Sequence, residues 1–216
     1  MQSFFLGHPF SQLRPKNNDE VIKKHNLDVS RDFISILPGS RASEISQLMP
    51  VYLDAAKKLL NINANTFFLI PAANEKLAEM IESTKGINEI PYKLSIDSAQ
   101  DFLSLSLISI VTSGTASLES AVLGSVPIIC YKTNKLNYAI LSRLVSTPFV
   151  GLPNLLLQDH IFPELIQHDL TPDAIVNSFS KISSEPEKYQ SYLSQINDSM
   201  LGEGFEVAAG AIDNLL

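Results

Sequence analysis

The chain has one cysteine, Cys130, in 216 residues, which excludes an intramolecular disulfide framework and any cysteine-rich zinc site. A reducing, cytosolic compartment is the matching expectation. Long apolar runs are missing too. The opening Met1-Gln2-Ser3-Phe4-Phe5-Leu6-Gly7 has no basic region and is too short for a signal peptide or a spanning helix, which needs about 20 apolar residues. Later runs such as Val126 to Cys130 are strand-sized. Positive charge is also scarce, 16 Lys and Arg against 23 Asp and Glu for a net charge of −7, so nucleic acid is not an expected partner. One interval reverses this balance. Between Glu119 and Asp159 there is no acid, while Lys132, Lys135 and Arg143 lie inside it, and an anionic ligand or surface is expected there.

With 45% hydrophobic residues, the whole of 1–216 reads as one domain able to bury its own core. Short apolar runs alternate with longer amphipathic ones. The runs Phe33 to Leu37, Thr66 to Pro71, Tyr92 to Ile96, Leu107 to Thr112 and Pro127 to Tyr131 are continuous, as in strands covered on both faces. Helix periodicity is clearest from Ser43 to Leu60. Ser43 is the expected cap, and Pro50 should kink that helix or delay its start. Further helices are expected at Asn74 to Ser83, Ser98 to Ser104, Thr115 to Leu123, Lys135 to Val145, Pro172 to Ile182, Pro186 to Met200 and Phe205 to Leu215, with one short helix between Lys16 and Ser30. Alternation of this kind builds a doubly wound α/β fold around a parallel sheet.

Ligands of such sheets lie beyond the carboxyl ends of the strands, so the strand-to-helix junctions carry the chemistry. The first junction, Leu37-Pro38-Gly39-Ser40-Arg41, offers a tight glycine turn and a guanidinium suited to phosphate or carboxylate. The same residues serve equally as a plain turn with a solvated arginine. In the second, Thr112-Ser113-Gly114-Thr115-Ala116-Ser117, small residues head a helix and leave its N–H groups to an anion. It matches neither a P-loop nor the dinucleotide fingerprint, and an ordinary capped helix fits as well. Glu119, one turn on from Thr115, can reach the same ligand through its hydroxyls, or simply complement the helix dipole. In the third, Val150-Gly151-Leu152-Pro153-Asn154, the asparagine offers donors and acceptors, though turn chemistry alone accounts for it. Four histidines show no metal spacing. His8, between Gly7 and Pro9, is kept as a cleft candidate, and Cys130 reads as core. The helix at 135–145 is apolar on more than one face, which suits deep burial or contact with a membrane surface.

Six of these stretches in order, Leu6-Gly7-His8-Pro9, Leu37 to Arg41 with Ser43-Glu44, Thr112 to Ala116 with Leu118-Glu119, Gly124 to Pro127, Tyr131-Lys132 and Leu152-Pro153-Asn154, resemble the carboxyl-terminal half of the lipid-A-disaccharide synthases. The resemblance implies a GT-B glycosyltransferase fold of two Rossmann-like halves. It also implies transfer of 2,3-diacylglucosamine from its UDP donor to 2,3-diacylglucosamine 1-phosphate, with release of UDP and no metal or other cofactor. Carried to this chain, it places Ser113, Gly114 and Thr115 on the diphosphate and Glu119 on the ribose, with Gly39 and Ser40 also binding UDP. Arg41 would stabilise the departing UDP, Asn154 would contact donor or acceptor, and His8 and Lys132 would stand near the cleft. The family's arginine-bearing turn after the asparagine is replaced here by Leu155 to His160. The family's amino-terminal half, with its general base and lipid-facing surface, has no counterpart before Met1. The expectation is therefore a fragment or split subunit, inactive alone, that pairs with a separate amino-terminal half, forms a homodimer, and works in the cytoplasm or peripherally at the inner face of the membrane. The alternatives are a non-catalytic UDP-sugar-binding subunit, a decayed remnant, or another GT-B enzyme using UDP-N-acetylglucosamine.

Overall fold

A computed structural model describes residues 8–132 and 148–201. The helices expected at 135–145 and 205–215 lie outside the described residues. Six parallel strands form one sheet: β1 (Asp32–Leu37), β2 (Thr66–Ala72), β3 (Tyr92–Ile96), β4 (Ile108–Thr112), β5 (Val126–Tyr131) and β6 (Glu164–Ile166), in the order β3-β2-β1-β4-β5-β6. After β3 the chain returns to the far side of β1, so the order reverses between β1 and β4. The two are paired in register from Ile34 with Ile108 to Leu37 with Val111. Every residue of β4 is buried, as its unbroken apolar run requires of a central strand, while edge strand β3 is half-exposed.

The described helices are α1 (Asn18–His25), α2 (Ala42–Ile62), α3 (Glu75–Glu82), α4 (Ala99–Leu105), α5 (Thr115–Val122), α6 (Leu152–Leu157), α7 (Pro172–Ser184) and α8 (Pro186–Ser199). Local chemistry sets their starts. Asn17, Asn74 and Thr171 each accept a backbone N–H of the first turn, and Pro172 follows the last of these caps. Helix α2 packs on α3 and α7, whereas α5 packs on α4, α6 and α8, so both faces of the sheet are covered. Ile36, Leu48, Tyr52, Phe68, Ile110 and Ile128 are fully buried in the resulting core. Cys130 belongs to it as expected, and burial pushes its thiol up to about 12.

Two expectations for α2 are corrected. The helix starts at Ala42 with Arg41 in the cap position, so Ser43 is already inside it. Pro50 neither breaks it nor delays its start, because Pro50 and Ser46 are exposed and water can satisfy the Ser46 carbonyl that the proline leaves without a donor. Helix α6 and strand β6, both short, were not expected from the apolar pattern.

Candidate functional site

At the carboxyl edge of the sheet, over the β1–β4 reversal, lies an open cavity of about 510 Å³. Four junctions line it: Leu37 to Arg41 with Glu44 after β1, Pro71 to Ala73 at the end of β2, Asp97 to Ala99 after β3, and Thr112 to Ala116 with Glu119 after β4. The first and second junctions singled out in the sequence thus meet in one wall. Gly39, Ser40, Arg41, Ser113, Gly114, Thr115 and Glu119 all border the same space.

The turn after β1 is built around Glu44. Its Oε2 accepts the backbone N–H groups of Ser40 (3.0 Å) and Arg41 (3.2 Å), and its Oε1 accepts Arg41 Nη1 (2.7 Å). Gly39 has φ +110°, and a Cβ there would sit 2.3 Å from Glu44 Oε2. Only glycine gives both the turn and the room.

The turn after β4 is anchored on both sides. Thr112 Oγ1 donates to the Leu37 carbonyl (3.0 Å), tying β4 to β1, and Ser113 donates its backbone N–H to the Cys130 carbonyl (2.8 Å). Gly114, at φ +136° and ψ −158°, occupies the cap position of α5, and no side chain caps that helix. A Cβ on Gly114 would meet nothing within 4 Å, so its backbone faces open space in the cavity. Bare N–H groups and the positive end of the helix dipole are what an anion needs. Glu119 faces the same space with Oε1 held by Gln100 Nε2 at 3.0 Å. Asp97 adds a residue at φ +52°, an uncommon backbone conformation for a non-glycine, on the far rim.

The third junction goes elsewhere. Asn154 is fully buried, and its amide donates to the Phe162 carbonyl and Glu164 Oε1 (both 2.8 Å) while its oxygen accepts the N–H groups of Ile161 (3.1 Å) and Phe162 (2.8 Å). With both donors and both lone pairs used, it has nothing left for a ligand. This corrects its expected place at the reacting centre: Asn154 staples α6 to the segment before β6. Glu164 also accepts the N–H groups of Val150 and Gly151, and the Val150 carbonyl in turn accepts the Ser113 hydroxyl at 3.0 Å. The third junction therefore supports the cavity from behind. His8 caps a single 3-10 turn (Pro9–Gln12) through Nδ1, and neither it nor Lys132 lines the cavity. None of the described residues of the acid-free interval lines the cavity either; they lie in the end of α5, in β5 and in α6, while Lys135 and Arg143 lie outside the described residues. Arg41 is the one described cation of the lining, against Glu44, Asp97 and Glu119.

Glu44, Gln100, Asp97 and Glu164 were not assigned roles from sequence. Glu44 alone carried a signal, its position three residues after Arg41 at the head of a helix, which is the spacing of a capping box.

A family model described as lipid-A-disaccharide synthetase matches residues 1–207. The chain belongs to this family. A lipid-A-disaccharide synthase of Alcanivorax borkumensis is 33% identical over 218 residues, covering 98% of this chain and 57% of the relative. The lipid-A-disaccharide synthase of Neisseria meningitidis is 35% identical over 190 residues, covering 85% of this chain and 49% of the relative. The chain thus spans about half the length of these synthases. Among solved structures, a UDP-GlcNAc 2-epimerase from Neisseria meningitidis bound to UDP-GlcNAc aligns with a TM-score of 0.56 at 15% identity, over 91% of this chain and 48% of that one. The E. coli ADP-heptose LPS heptosyltransferase II aligns at 0.54 and 13% identity, over 79% and 52%. These likenesses fix the fold as Rossmann-like α/β of the GT-B kind, in agreement with the expected architecture. Among the described residues no helix is long and apolar enough to cross a membrane.

Proposed function

We propose that these residues form the donor-nucleotide half of a lipid-A-disaccharide synthase, and that the cavity over the β1–β4 reversal receives UDP-2,3-diacylglucosamine. The observation that carries the reading is the convergence of Arg41, the uncapped α5 terminus at Gly114 and Thr115, and Glu119 on one space at the strand ends. The diphosphate lies between Arg41 and the α5 N–H groups, and the ribose hydroxyls donate to Glu119. As the glycosidic carbon leaves the donor, negative charge grows on the β-phosphate, and a fixed guanidinium and helix terminus stabilise it without reorganising. The acceptor, 2,3-diacylglucosamine 1-phosphate, and the base that deprotonates it are handled by the portion of the synthases that these residues do not match. Contact with the inner membrane face and pairing of two copies belong to that assembled enzyme. The UDP-GlcNAc in the epimerase structure supports a UDP-sugar as donor class.

Calorimetric titration with UDP tests the site. Arg41→Ala should weaken binding about 10- to 100-fold, the worth of a charge-assisted hydrogen bond, and Glu119→Ala about 10-fold. Unchanged affinity in both variants removes the assignment. Mixed with the complementary portion of a relative, the chain should make disaccharide that it does not make alone; robust synthesis by these residues alone refutes the half-site reading.

A further inference from the structure

The Arg41 side chain is 76% exposed, and a long exposed side chain ordinarily samples many rotamers whose loss on binding has an entropic cost. Here one residue restrains it at both ends. Glu44, whose own side chain is only 19% exposed, bonds the Arg41 backbone N–H through Oε2 and the guanidinium through Oε1. The carboxylate is itself fixed, since Oε2 also accepts Ser40 N–H and the missing side chain of Gly39 leaves the space that Glu44 fills. A cap serving the helix alone would need only the backbone bonds. No described residue engages Arg41 Nε or Nη2, which remain for an anion in the cavity. The loop N–H groups of Ser40 and Arg41, by contrast, are already taken.

We infer that Glu44 is a positioning residue for anion recognition: it holds the Arg41 guanidinium ready at the cavity wall and, by occupying the loop amides, makes that guanidinium rather than the loop backbone receive the phosphate. The inference rests on the nucleotide reading of the cavity. It runs against simple charge counting, by which a carboxylate this close should repel a diphosphate and its neutralisation should tighten binding.

The test has two arms on the full chain. In the first, without ligand, the heteronuclear NOE of the Arg41 Nε–H group, assigned by its loss in Arg41→Lys, is compared with Glu44→Gln. Glutamine keeps an acceptor for the backbone, so the fold should persist while the Arg41 signal collapses to that of a free side chain. Equal order, or equal disorder, in the two proteins overturns the inference. In the second arm UDP and uridine are titrated into wild type, Glu44→Gln, Arg41→Ala and the double variant. Glu44→Gln should weaken UDP about 10-fold and leave uridine unchanged, and the double variant should lose no more than Arg41→Ala alone, because the two residues act as one unit. Additive losses, or tighter UDP binding by Glu44→Gln, overturn it. A wild-type chain that binds neither UDP nor uridine removes the nucleotide reading and this inference with it. Binding that Glu44→Gln leaves intact removes only the inference.

Discussion

Two glycines border the cavity at positive φ, and they are there for different reasons. At Gly39 a methyl group would meet both a strained backbone and Glu44, whereas at Gly114 it would meet strain alone and point into empty space. Gly39→Ala should therefore be the more destabilising change, by more than the roughly 1–3 kcal/mol that strained backbone alone costs, as read by urea denaturation. Gly114→Ala should fold with the smaller loss and yet lose more UDP affinity, since its methyl occupies the cavity. The reverse ranking of stabilities would remove the close approach of Glu44 as the reason for Gly39. These glycines, Arg41 and Glu119 were legible in the sequence because each stands at a strand-to-helix junction, where residue type and position speak together. Asn154 was misread for a physical reason. An asparagine behind a proline looks the same whether it faces ligand or core, and the partner that settles the matter, Glu164, is ten residues away across a turn that no periodicity describes.

At the level of elements, strands β1, β2, β4 and β5 could be placed to within a residue because their apolar runs are covered on both faces, and edge strand β3 was placed as well although it is half-exposed. Strand β6 could not. It is three residues long, half-buried, and opens on Glu164, whose carboxylate is committed to the α6 turn. Helix α6 escaped likewise, six residues beginning in Leu-Pro that read as a turn. The joint between α1 and α4 is polar and equally hard to foresee: Asp101 Oδ2 accepts Lys24 Nζ (2.6 Å) and His25 Nε2 (2.8 Å), with the His25 ring against Phe102. Burial alone would push the Asp101 carboxyl up, but the hydrogen bonds from Lys24 and His25 and the charge beside them outweigh it and hold the carboxyl below its ordinary range. A carboxyl lowered on folding adds stability that is complete above its unfolded value and is lost as pH falls through its folded value. Thermal stability should therefore drop below about pH 4, and Asp101→Asn should flatten that drop while costing about 2 kcal/mol at neutral pH. An unchanged acid limb in Asp101→Asn would show that other carboxylates govern it.

For the whole molecule, the order β3-β2-β1-β4-β5-β6 puts every lining residue of the cavity on one edge of the sheet, because parallel strands send all their outgoing loops the same way. Loops entering the strands, at 26–31, 63–65 and 106–107, lie on the opposite edge by the same rule. That asymmetry makes the footprint of a ligand a test of the topology and the site together. With UDP at about 100 times its dissociation constant, global stabilisation is about 2.7 kcal/mol, spread over all amides that exchange by unfolding. Local protection beyond this should appear at 114–116, whose N–H groups face the cavity, and be missing at 63–65 and 106–107, measured by hydrogen exchange on the native chain. The acid-free interval gives the contrast. Its charge pattern, read along the sequence, made 120–158 the natural place for a diphosphate, but folding puts 120–131 into the end of α5 and into β5, and among the described residues the cation that faces the cavity is Arg41, from the opposite half of the sheet; Lys135 and Arg143 lie outside the described residues. Ligand-induced protection concentrated at 148–158, with none at 114–116, would return the anion to that interval and displace the α5 terminus from the site.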